Sequence, residues 1–134
     1  MKKLLFCILT FGILNAIPTK AEIVLYCQDE LATGFFKEGG EWRSGNFKPS
    51  RYTVKFNDEY SRAEGLSATP MECTISYPTQ VPEVVFCVHV WGSHEVFVYN
   101  KKNKKFTFYT GGVASFITNG DDTLLLEAGT CESF

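Results

Sequence analysis

The chain has 134 residues and a mass of 15.1 kDa, enough for one hydrophobic core and short for two. With 45% apolar and 21% charged residues, its composition excludes a disordered chain, a collagen-like repeat and a coiled coil. The net charge of −2 argues against general nucleic-acid binding, which draws most of its affinity from a basic field.

Met1-Lys2-Lys3 is a short positive start, and Leu4 to Leu14 is an apolar run broken only by Thr10 and Gly12. Pro18 ends any helix, and Thr19-Lys20-Ala21 places small residues where a signal peptidase reads. The layout predicts a secretory signal over 1–21, of bacterial type, cleaved after Ala21. The run is shorter than the roughly 20 apolar residues of a spanning helix, so an uncleaved anchor is the alternative and no spanning segment is expected after cleavage. Neither Cys7 nor Cys27 follows a small residue, so neither reads as a lipidation site. Loss of 1–21 removes three lysines and no acid, leaving 10 basic against 15 acidic residues and a charge of −5.

From residue 22 onward, short runs of β-branched and aromatic residues recur about every ten residues, bounded by Gly, Pro, Asn or Asp. That spacing predicts an all-β sandwich or barrel. The first runs are Ile23–Cys27 and Leu31–Lys37, the second ending at the hairpin signal Gly39-Gly40. Glu41–Phe47 follows. Arg51–Phe56 alternates, with Tyr52, Val54 and Phe56 on one face and Thr53 and Lys55 on the other. The polar stretch from Asn57 to Thr69 reads as a long loop. Met71–Tyr77 comes next, then Glu83–Trp91, apolar on both faces and therefore expected at the centre of the sheet. Glu95–Asn100, Lys105–Thr110 and Thr123–Cys131 complete the set. No amphipathic helix is evident.

Four cysteines remain after the signal: Cys27, Cys73, Cys87 and Cys131. An even count in a small exported domain predicts disulfides and an oxidising compartment, the periplasm or the exterior. If Tyr77 turns back to Glu83, Cys73 and Cys87 each lie four residues from the turn and face one another. That leaves Cys27 for Cys131, a bridge that draws the first and last strands together and closes the sheet. The expectation is a single antiparallel barrel of about eight meandering strands over 22–134, stapled by two disulfides.

Chemical signals are sparse. His89 and His94 are the only histidines; a two-residue turn at Gly92-Ser93 would place them diagonally on one face. No third metal ligand stands nearby, and a zinc site needs three or four. Ser93-His94-Glu95 is no triad, because neighbours in a strand cannot converge. The two histidines with a lysine leave a small hydrolase or nuclease as the enzymatic alternative. Lys101, Lys102, Lys104 and Lys105 crowd a hairpin tip, where they either meet an anionic surface or simply discourage edge pairing. Asp121-Asp122 in a Gly/Asn turn is a weak calcium signal without the spaced oxygens of an EF-hand. No cofactor motif occurs. Aromatic residues reach 15%, so rings either fill the barrel, line a cavity for an apolar ligand, or form an exposed patch for a partner. The candidate contact residues are Trp42, Trp91, His89, His94 and Tyr99.

Several pieces are suggestive together: Tyr26-Cys27, Gly34-Phe35-Phe36, Gly40-Glu41-Trp42, Phe47-Lys48-Pro49, Tyr52-Thr53-Val54-Lys55, Asp122-Thr123 and Gly129-Thr130-Cys131. With them the chain resembles a loose set of short exported proteins of unknown function from marine alphaproteobacteria. That resemblance implies fold and export, and no site residues. In size, export and barrel closure the chain is also similar to the small β-barrel inhibitors of C-type lysozyme, without their Ser-Gly inhibitory loop and its Tyr partner. The reading is an exported, non-enzymatic binding module. It holds either a small apolar ligand inside the barrel or a protein partner on its surface, an inhibitor-like role being one version.

Overall fold

The structure, a computed structural model, describes residues 21–89 and 94–133. The expected signal segment up to residue 20, and Trp91 with the rest of residues 90–93, lie outside the described residues.

Among the described residues, nine strands and one short helix follow in chain order: β1 Glu22–Glu38, β2 Glu41–Asn46, β3 Arg51–Asn57, β4 Arg62–Glu64, β5 Met71–Thr74, β6 Val84–Val88, β7 Val96–Asn100, β8 Lys105–Thr110, α1 Val113–Thr118 and β9 Leu124–Ser133. All pairings are antiparallel. The strand order is β2-β1-β3-β4-β5-β6-β7-β8-β9, and β9 pairs back onto β1. The fold is therefore a closed eight-strand barrel of β1 and β3 to β9, with β2 as an extra strand. Closure gives every barrel strand two neighbours, which three-residue β4 could not do without on its own.

The predicted strands Ile23–Cys27 and Leu31–Lys37 are one strand of 17 residues. The polar Gln28-Asp29-Glu30 between them looks like a boundary but is a bulge, where the register against β9 shifts between Asp29 and Leu31. One extra residue flips the alternation. Leu25, Cys27 and Asp29 point inward before it; after it Ala32 points inward and Leu31 outward, 71% exposed. β1 is also a fork. Its first half pairs β3 through Glu22–Gln28, its second half pairs β2 through Thr33–Glu38, and β9 runs along the other side of both. Two hydrogen bonds hold the branch: Asp29 N–H to the Ser50 carbonyl at 3.1 Å, and Phe47 N–H to the Ala32 carbonyl at 2.9 Å. The β1–β2 turn carries positive φ at both Gly39 (61°) and Gly40 (86°), as a tight hairpin requires.

Both disulfides join directly opposed residues, Cys73 with Cys87 and Cys27 with Cys131, as the spacing predicts. Two elements differ from the sequence reading. β4 lies inside the expected Asn57–Thr69 loop, where Ala63, fully buried, is the one inward residue among polar neighbours. Helix α1 is too short to show a periodic pattern. The β6–β7 register also differs by one residue: Val88 pairs Val96, and His89 donates its N–H to the Glu95 carbonyl at 3.0 Å. A two-residue turn at Gly92-Ser93 would instead have paired Val88 with Phe97.

Candidate functional site

Inside the barrel, inward positions of neighbouring strands fall into rows. One row runs Val85, Tyr99, Phe106, Gly129, Asp29; the next runs Cys87, Phe97, Phe108, Glu127, Ala32. The rings touch. Phe56 stacks on Tyr99 at 5.8 Å, Phe97 on Phe106 at 5.4 Å, and Tyr52 meets Phe108 edge-on at 5.5 Å. Side chains from eight strands are just enough to fill an interior of this size. Burial pushes the Tyr99 hydroxyl pKa up to about 12, and among the described residues that hydroxyl has no hydrogen-bond partner.

The rows end on charge. Asp29 and Glu127 are 2% and 1% exposed. They sit diagonally across the β1–β9 pair, since Asp29 faces Gly129 and Glu127 faces Ala32. Glycine is favoured at 129, where a Cβ would stand 2.0 Å from the Gln28 carbonyl oxygen. The Tyr52 hydroxyl donates to Glu127 Oε2 at 2.5 Å, and the Ser50 N–H donates to Asp29 Oδ2 at 2.9 Å. Asp29 Oδ1 and Glu127 Oε1 have no donor among the described residues. Burial raises the Glu127 pKa, the Tyr52 hydrogen bond opposes that rise, and the adjacent Asp29 carboxylate adds to it. Tyr52 in turn is pushed up by burial and by its bond to Glu127.

The exterior is apolar where a barrel usually presents polar side chains. One outward row crosses five strands as Leu31, Ala128, Thr107, Val98 and Phe86. The next is Thr33, Leu126, Tyr109, Val96 and Val88. Neither row carries a charge. Leu126 is 50% exposed, and Phe35, diagonal to it on β1, is 52% exposed. The surface dips into a groove of about 350 Å³ lined by Leu31, Val84, Val98 and Ala128 together with the polar Glu30, Asn100 and Lys105. The run expected at the centre of the sheet forms β6, which is paired on both sides by β5 and β7. β6 is apolar on both faces because its outer face belongs to this patch, and no second layer of described residues covers it. A larger groove, about 1030 Å³, crosses the outside of β1, β3 and β9 around Tyr26 and Arg51 and is polar.

The sequence candidates are scattered. Trp42 on β2 packs its ring against Phe116 of α1 at 5.4 Å, beside a tie from Lys37 Nζ to Asp121 Oδ1 at 3.0 Å. Asp121, a residue of the calcium signal, thus holds the β1–β2 arm to the loop before β9. Tyr99 is wholly buried in the ring stack. His89 is hydrogen-bonded to the Thr69 hydroxyl, and His94 is exposed with a φ of 52°. Among the described residues no three His, Cys, Asp or Glu side chains gather as a metal site would need.

The lysine tip is an ordered turn. Asn100 Oδ1 accepts from the N–H groups of Lys102 and Asn103, and Asn103 Oδ1 accepts from that of Lys105. Lys101 Nζ lies 5.0 Å from the centre of the Tyr60 ring, and Lys102, Lys104 and Lys105 are exposed.

Asp29, Glu127 and the outward row were not singled out from sequence. The signal was alternation: Asp29 is in phase with Leu25 and Cys27, and Glu127 is in phase with Cys131. No protein-family model, curated protein or solved structure matches the chain at a significant level.

Proposed function

We propose that this protein is an exported binding module that meets a protein partner through the apolar exterior of β6 to β9 and β1. The observation that carries the reading is the pair of uncharged outward rows, with Leu31, Phe35 and Leu126 each at least half exposed. A contiguous apolar patch with a polar rim is what partner surfaces look like, whereas scattered exposed apolar residues are ordinary. Rings in mutual contact favour this reading over a ligand held inside the barrel. Two disulfides suit an oxidising compartment such as the periplasm. No enzymatic step is assigned.

The test uses the mature protein with Leu31→Asp and Leu126→Asp, each at an exposed site where the fold tolerates charge. Envelope extracts are passed over immobilised wild type, both variants, and a control carrying Thr53→Asp on β3, outside the two apolar rows. A partner retained by wild type and control, and lost with either face variant, supports the reading. Retention that ignores the face variants, or a small apolar molecule co-purifying in the native mass spectrum, overturns it.

A further inference from the structure

The feature with the clearest unspent chemistry is the buried carboxyl pair. Asp29 and Glu127 are buried diagonal neighbours on paired strands, and two carboxylates so placed in a low-dielectric interior cannot both ionise cheaply. Each has one oxygen supplied with a donor, from Tyr52 or Ser50, and one without. A single proton between the two carboxyls satisfies both orphan oxygens at once. The Ser50 side chain also hydrogen-bonds Glu127 and favours its ionised form, against burial and the neighbouring Asp29. β8 offers Phe106 and Phe108; β9 offers Gly129 and the bridged Cys131; β1 offers bridged Cys27 and Ala32; β3 offers Tyr52 alone as a further titratable group. No cationic side chain faces the pair from these elements.

The location gives the proton a structural consequence. Asp29 is the last paired residue before the bulge at the fork of β1, and it grips the β2–β3 connection twice through Ser50. Glu127 lies opposite Ala32, on the other side of the bulge. We propose that Asp29 and Glu127 form a one-proton site that clamps the fork of β1 to β9, so that the barrel is firmest in mild acid and loosens as pH rises. This inference stands apart from the docking reading and holds whatever the exterior binds.

The sign follows from linkage. Glu127 holds its proton more tightly folded than unfolded. The stabilisation is complete below the unfolded titration point and is lost as pH rises to the folded one. Within that window the folding equilibrium falls up to tenfold per pH unit from this site.

The experiment compares urea unfolding of wild type and Glu127→Gln from pH 4 to 9. Glutamine keeps an acceptor for Tyr52 and supplies a permanent donor to Asp29. The expected result is that the wild type loses stability across the window relative to the variant, with the two curves parallel above it. Curves parallel throughout would overturn the proposal. Should the variant not fold, carbon NMR of the wild-type Glu127 carboxyl decides. A carboxyl still protonated well above the ordinary glutamate range supports the site; titration within that range sinks it.

Discussion

Removing each disulfide in turn gives a sharp test of how the barrel is held shut. Cys27–Cys131 closes a loop spanning 104 residues and Cys73–Cys87 one spanning 14. Loop-closure entropy then assigns about 4.7 kcal/mol to the long bridge and about 3 kcal/mol to the short one. Their difference, near 1.8 kcal/mol, is steadier than either value, because both pairs sit against the core and their replacement by alanine removes similar contacts. The assay is urea unfolding of Cys27→Ala/Cys131→Ala and Cys73→Ala/Cys87→Ala without reductant, followed by tryptophan fluorescence and far-UV circular dichroism together. With a urea slope of roughly 1–3 kcal/mol/M, the long-loop variant should unfold at a midpoint roughly 0.6–1.8 M below the short-loop variant. Equal midpoints, or a lower one for the short-loop variant, would refute the entropic account. The ten paired positions between β1 and β9 would then be holding the barrel closed in the unfolded ensemble or without help from the bridge.

Other outcomes follow from single positions. Gly129→Ala should destabilise by about 1–3 kcal/mol, since its Cβ meets the Gln28 carbonyl rather than a flexible side chain; thermal melting checks it. Tyr99→Phe should leave stability unchanged or raise it by about 1 kcal/mol, because the hydroxyl it removes is buried without a partner. Phe97→Ala should cost about 3–5 kcal/mol, as Phe97 contacts Phe56, Tyr99, Phe106 and Phe108, and urea unfolding measures it. Leu126→Asp should change stability by under about 0.5 kcal/mol, a half-exposed site away from the core being tolerant.

Much of the architecture was legible in the residues. Clean alternation in Arg51–Phe56 identified its inward face, and the equal distances of Cys73 and Cys87 from one turn set both register and disulfide pairing. What escaped had physical reasons. Gln28-Asp29-Glu30 hid the continuity of β1, because a polar triplet is normally a loop and here encodes a bulge with an inward carboxyl. β4 has one buried side chain, too few for a pattern. Charged residues in strands are taken as outward by default, so Asp29 and Glu127 passed unnoticed although their parity matched the cysteines. Double-sided apolarity in Val84–Val88 marked a central strand, as found, while the outer face of that strand remains only half-buried.

β1 is the first strand of the barrel, and it waits for the last. A chain made from its N-terminus completes β1 before any of its partner β9 exists, and the barrel cannot close until residue 131 is available. Such distant pairing makes closure slow to reach. Of the four bridged cysteines Cys27 is made first, and Cys73 and Cys87 become available before Cys131 does. The first bridge Cys27 can make is therefore a wrong one. Correct assembly then depends on the local Cys73–Cys87 hairpin forming early, withdrawing both competitors, or on thiol–disulfide exchange afterward. The short bridge thus guards the long one. Loss of Cys73 alone should leave Cys87 to trap Cys27 in a mispaired product, visible by non-reducing peptide mapping.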